Sequence, residues 1–142
     1  MRVFEQRMTL LTLGVADVGR ARAFYEALGW RASSVSQSGI AFFSLGGTGL
    51  ALYPQDELSR DTGLDTPMPG GVTHAYNTRS RDKVETLLAE ALAAGGRLLK
   101  GANETEWGGY VAYFADLDGH PWEIAYAPMF VPAVDGTIEF PE

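Results

Sequence analysis

The chain has 142 residues, of which 46% are hydrophobic and 20% charged, the proportions of a globular protein rather than a disordered one. Eleven Lys+Arg against 18 Asp+Glu give a formal net charge of −7, with no basic stripe to displace counterions from phosphates, which argues against nucleic acid as a partner. No apolar run reaches the roughly 20 residues that span a bilayer, Glu5, Gln6 and Arg7 interrupt any signal-like segment, and the absence of cysteine removes disulfides and thiolate chemistry; together these suit the cytoplasm.

Met8 to Val15 is an apolar run of strand length. Asp17 follows as a helix cap, and Val18, Ala21, Phe24, Tyr25 and Leu28 recur at helical spacing until Gly29 supplies a stop. Three strands are predicted next, over Trp30 to Gln37, Ile40 to Leu45 and Leu50 to Tyr53, separated by glycine-bearing turns. The stretch from Pro54 to Gly70 is polar and broken by proline and glycine, so it reads as a linker with one short helical turn around Asp56 to Ser59.

The second half repeats this order. Val72 to Thr78 is a predicted strand and Ser80 a predicted cap. Val84, Leu87, Leu88 and Ala91 mark a helix face that Gly95-Gly96 ends. Strands follow over Arg97 to Lys100, Tyr110 to Ala115 and Trp122 to Tyr126, the last after the turn Asp118-Gly119. Glu26-Ala27-Leu28 and Glu90-Ala91-Leu92 stand at equivalent places before the two helix stops. A duplicated β-α-β-β-β module explains both halves. The expectation is an α+β fold in one domain over 1–142: module one at about 8–53, a linker at 54–70, module two at about 71–126, and a tail at 127–142 that wraps a surface or extends a dimer contact. A sheet with a helix on one face leaves its other face to be covered, and two such sheets curving together would enclose a small-molecule cleft.

Leu13 to Trp30, LGVADVGRARAFYEALGW, resembles the first strand and helix of vicinal oxygen chelate proteins, the glyoxalase, bleomycin-resistance and dioxygenase group. Gly108 to Tyr126, GGYVAYFADLDGHPWEIAY, resembles their closing hairpin, with Leu117 at a position usually held by proline. The resemblance spans residues 8 to 126 and implies paired βαβββ modules forming a curved mixed sheet around a ligand cleft, frequently in a homodimer.

Metal-dependent members of that group place four ligands in the cleft, where the ion acts as a Lewis acid. By the resemblance those positions fall here on Leu10, on Ala51, on Thr73 (or His74 with a register slipped by one), and on Glu123. Leu10 and Ala51 have no donor atom. The expectation is therefore no metal cofactor, the alternative being a weakly bound divalent ion held by Glu123 and His74.

Glu123 is the candidate catalytic residue. On a period-2 strand it shares a face with Pro121 and Ala125, opposite Trp122, Ile124 and Tyr126. If that face lines the cleft, desolvation would raise its pKa and suit it to acid/base work; the plainer reading is a carboxylate that only hydrogen-bonds. Likewise His74 reads equally as a ligand contact or as a packed histidine. Tyr53, Trp107 and Tyr110 could stack on a planar molecule, Trp107 best among them as part of a loop at the cleft mouth, whereas Tyr113 and Trp122 read as core or dimer packing. His120 is placed at the rim of the closing hairpin. Leu10, Ala51, Tyr53, Thr73, His74, Trp107 and Glu123 are thus the expected ligand-binding set. There is no Gly-x-Ser-x-Gly elbow and no phosphate loop with a lysine.

Three functions fit. The first is a metal-free protein that binds a small, planar or aromatic molecule in the cleft. The second is a lyase, isomerase or dioxygenase-type enzyme using Glu123 as acid/base or an unusual metal site. The third is a non-catalytic partner protein whose own side chains fill the cleft.

Overall fold

The computed structural model describes residues 4–65 and 71–141. Of the expected linker, Pro67, Pro69 and Gly70 lie outside the described residues. The elements run β1 (Leu10–Val15), α1 (Val18–Ala27), β2 (Ala41–Ser44), β3 (Gly49–Pro54), α2 (Gln55–Thr62), β4 (His74–Asn77), α3 (Asp82–Ala93), β5 (Arg97–Glu104), β6 (Tyr110–Ala115) and β7 (Pro121–Tyr126). They form two open mixed sheets of an α+β fold, ordered β1-β3-β2 and β4-β7-β6-β5. In each sheet the module's first strand pairs parallel with its last, and the last pairs antiparallel with the one before it. That shared topology is what a duplicated module predicts.

α1 begins where Asp17 accepts the Arg20 N–H at 3.0 Å, satisfying one of the helix's free donors. It buries Val18, Ala21, Phe24 and Tyr25, one stripe at helical spacing. Gly29 then takes the left-handed conformation, φ 92°, which other residues rarely adopt. At α3 the cap differs from expectation. Arg81 precedes the helix with no side-chain cap bond, and the Ser80 hydroxyl near the Asp82 carboxylate helps hold it below the usual carboxylate range.

The segment from Trp30 to Gln37 is not a regular strand. It runs beside β2, with the Ser33 N–H donating to the Phe42 carbonyl at 2.7 Å, but the Phe42 N–H is taken by Ser36 Oγ at 2.9 Å. A side-chain oxygen has replaced the backbone acceptor, so the ladder stops after a single bridge between Gln37 and Ile40. α2 corrects the expectation of one turn between Asp56 and Ser59. It extends from Gln55 to Thr62, with acids in its first turn, Arg60 in its last, and Gly63 at φ 76° closing it. None of its residues is buried, so it carried no apolar period to read. β5 also runs past Lys100 to Glu104, its pairing with β6 kept by two register shifts.

Both sheets turn one face to α1 and α3, and those faces share one core, while α2 lies against the opposite face of the first sheet, with Gln55 over Gly14. Leu13, Val15, Leu50, Leu52 and Phe43 of the first module meet Phe114, Trp122 and Ile124 of the second around Phe24 and Tyr25. Trp30 packs edge-on against Trp122 with ring centroids 5.7 Å apart. Each such side chain, removed from water, contributes roughly 1.5–3 kcal/mol. The opposite sheet faces remain outside this core.

Candidate functional site

Strand alternation sorts the expected residues by face. In the first sheet the register Leu10↔Gly49, Thr12↔Ala51 and Gly14↔Tyr53 puts Leu10, Thr12, Ala51 and Tyr53 on one face, away from the shared core. In the second, Ala75↔Glu123 and Tyr113↔Glu123 put Glu123 on the corresponding outer face. Thr73 lies one residue before β4, outside its paired register and exposed.

His74 pairs with Trp122 and lies on the core side, its ring 5.1 Å from the indole. Burial and the nearby His120 lower its pKa, against a smaller opposing effect of Asp116, because each of the first two disfavours the imidazolium. Register therefore separates His74 from Glu123 onto opposite faces of one sheet.

Tyr113, which reads as packing in the sequence, is the closest polar partner of Glu123. Its hydroxyl donates to Glu123 Oε2 at 2.6 Å, and both residues are half-buried. That bond, then burial, then the adjacent carboxylate push the phenol pKa up to about 12, so Tyr113 stays protonated as a donor. The pair was findable in the sequence. A hairpin turning at Asp118-Gly119 places Tyr113 directly across from Glu123.

The remaining aromatics are used locally. The Tyr53 hydroxyl donates to Asp61 of α2 at 3.1 Å. Tyr110 donates to Glu85 at 3.0 Å and lies under the Arg81 guanidinium, 4.3 Å from its centroid. Trp107 is half exposed in the β5–β6 loop, its ring lying over Gly109, where a Cβ would come within 2.0 Å of it. His120 reaches back from the hairpin, Nε2 lying 2.7 Å from the Gly14 carbonyl.

The donor set does not fit the family's four-ligand metal. Leu10 and Ala51 offer no lone pair, and among the described residues no three of His, Cys, Asp and Glu gather within reach of one ion. The outer face instead offers one carboxylate with a protonated phenol beside it, a combination that can accept a proton, donate a hydrogen bond, or orient a polar group on a bound molecule.

The glyoxalase/bleomycin resistance protein/dioxygenase superfamily model matches residues 7–124. The chain is 29% identical over 115 residues to the metallothiol transferase FosB of Shouchella clausii (strain KSM-K16), covering 80% of this chain and 75% of that protein. Among solved structures it resembles a glyoxalase-related enzyme from Fulvimarina pelagi at 35% identity and TM-score 0.89, over 96% of this chain and 99% of the other. It shares its fold with a lactoylglutathione lyase from Agrobacterium tumefaciens at 20% identity and TM-score 0.67, over 87% and 96% of the two chains. By sequence motifs, module topology and these likenesses, the chain belongs to the glyoxalase/bleomycin resistance protein/dioxygenase superfamily.

Proposed function

We propose that this protein binds a small, partly planar molecule on the sheet faces that carry Leu10, Thr12 and Ala51 in one module and Glu123 with Tyr113 in the other, without the family metal. The observation that supports it most is the 2.6 Å bond from Tyr113 to Glu123. A polar pair is held on a face whose neighbours Val111, Ala115 and Ala125 are small, apolar and buried, the mixture expected of a small-molecule site with few polar groups. Glu123 then anchors or deprotonates the ligand, and Tyr113 orients the carboxylate. A second copy of the chain, laid over the two outer faces, closes the site, so the working unit is a homodimer in the cytoplasm.

Thermal-shift screening of planar aromatic compounds against the wild-type protein and Glu123→Gln tests this reading. It expects at least one compound that raises Tm in the wild type and loses that effect in the variant. A screen in which every stabilising compound acts equally on both proteins contradicts it.

A second reading is favoured by the FosB likeness: an enzyme transferring a group with the help of a metal bound by an unusual ligand set. Metal retention by the purified chain separates the two.

A further inference from the structure

The chain that follows β7 folds back across the edge strand β4. The Arg79 Nη2 donates to the carbonyls of Ala133 and Val134 at 2.8 and 3.3 Å, and the Asn77 side-chain amide reaches the Phe130 carbonyl at 3.4 Å. The strap closes on itself through Ala133 and Thr137, and Phe130 meets Phe140 edge-on with centroids 4.7 Å apart. Beneath it lies a cavity of about 620 Å³, within the roughly 300–1,000 Å³ range of small-molecule pockets. Trp30, Tyr76, Trp122, Phe130 and Phe140 line it, whereas Glu123 and Tyr113 do not. It shares Trp30, Tyr76 and Trp122 with a narrower slot of about 90 Å³ that runs between α1 and α3.

Five aromatic rings around one space form an unusual surface to leave open. Phe140 is 66% exposed and Tyr76 44%, so apolar area remains in contact with water that a flat ring would cover. Among the described hydrogen bonds Arg79 commits only Nη2 to the strap, which leaves its other N–H groups to face an acceptor oxygen. Asp135 also lines the cavity and offsets the guanidinium charge, and the whole chain carries −7, so an anion is not favoured. We propose that the strap cavity is a second binding site, independent of the Glu123 face, for an uncharged flat aromatic molecule of two or three rings bearing a hydroxyl or carbonyl oxygen. The rings stack among Trp30, Tyr76 and Trp122, the oxygen accepts from Arg79, and the Phe130–Phe140 pair closes over them.

The chain has three tryptophans, and two of them line this cavity. Trp107→Phe therefore leaves emission only from the two tryptophans that line the cavity. Titration of that variant with 2-naphthol is expected to quench the emission saturably. Adding Phe130→Ala and Phe140→Ala weakens binding by about tenfold, equivalent to about 1.4 kcal/mol, as does Tyr76→Leu, which leaves the strap intact. Arg79→Gln, which also frees the strap from the Ala133 and Val134 carbonyls, weakens 2-naphthol more than it weakens naphthalene. Glu123→Gln leaves both unchanged, so failure here is distinct from failure of the proposal for the Glu123 face. Circular dichroism verifies that each variant is folded. Absence of saturable quenching overturns the inference, as does quenching that neither the strap variant nor Tyr76→Leu weakens. Quenching lost in Glu123→Gln overturns it too, by moving the probe to the other face.

Discussion

The Tyr25 hydroxyl, on the helix of the first module, donates a 2.5 Å hydrogen bond to Asp116 at the closing turn of the second, and both groups are buried. Trp122 donates to the same hydroxyl at 3.2 Å. The other Asp116 oxygen accepts the N–H groups of Asp118 and His120, and Asp118 in turn accepts the Ala16 N–H at 2.8 Å. The Phe-Tyr of the helix motif and the Asp-x-Asp-Gly of the hairpin motif thus meet as one polar cluster. The two motifs that identify the family hold the modules together.

Removing the Tyr25 hydroxyl leaves a buried carboxylate short of a donor. Tyr25→Phe is expected to destabilise the chain by about 2 kcal/mol, and Asp116→Ala by at least as much. Urea denaturation measures both. A change in Tyr25→Phe too small to resolve would show that the cluster does not tie the modules.

Alkaline pH acts on the same contacts. Burial, and then Asp116, push the Tyr25 pKa far above its ordinary value, while Tyr113 is pushed up to about 12. A pKa raised by folding favours the protonated folded form. Stability from these groups is therefore complete below the ordinary tyrosine pKa of about 10 and is lost as pH rises above it. Absorbance titration of tyrosinate should show one fewer late-titrating group in Glu123→Gln, as Tyr113 moves back toward about 10. An unchanged titration curve would remove Glu123 as its partner.

On the acid side His74 is one contributor. Its pKa is lowered chiefly by burial, so the folded state disfavours the imidazolium. Its contribution is intact above the ordinary histidine pKa of about 6.5 and is lost as pH falls through the lowered folded value. His74→Gln should flatten the loss of urea resistance between neutral and mildly acidic pH. A slope the same as wild type would assign the acid sensitivity to other groups.

Much of this was legible in the sequence because local chemistry marked it. Asp17, Gly29 and the Asp118-Gly119 turn announce their elements, and the apolar stripe of α1 names its buried face. Of α2 only a turn around Asp56 to Ser59 was legible, because a helix without buried residues has no apolar period to mark its length. The segment after Trp30 looked like a strand until Ser36 competed with the backbone for Phe42. Whether His74 or Thr73 shares a face with Glu123 depends on the parallel register of β4 on β7. No residue between those distant strands sets it locally.

Metal content, measured on purified protein after exhaustive dialysis, bears most directly on a ligand site whose polar groups are Glu123 and Tyr113 and that needs no metal. The expected result is far less than one divalent ion per chain, with unchanged Tm when a chelator is added. One tightly retained ion per chain, with Tm falling on chelation, would contradict it.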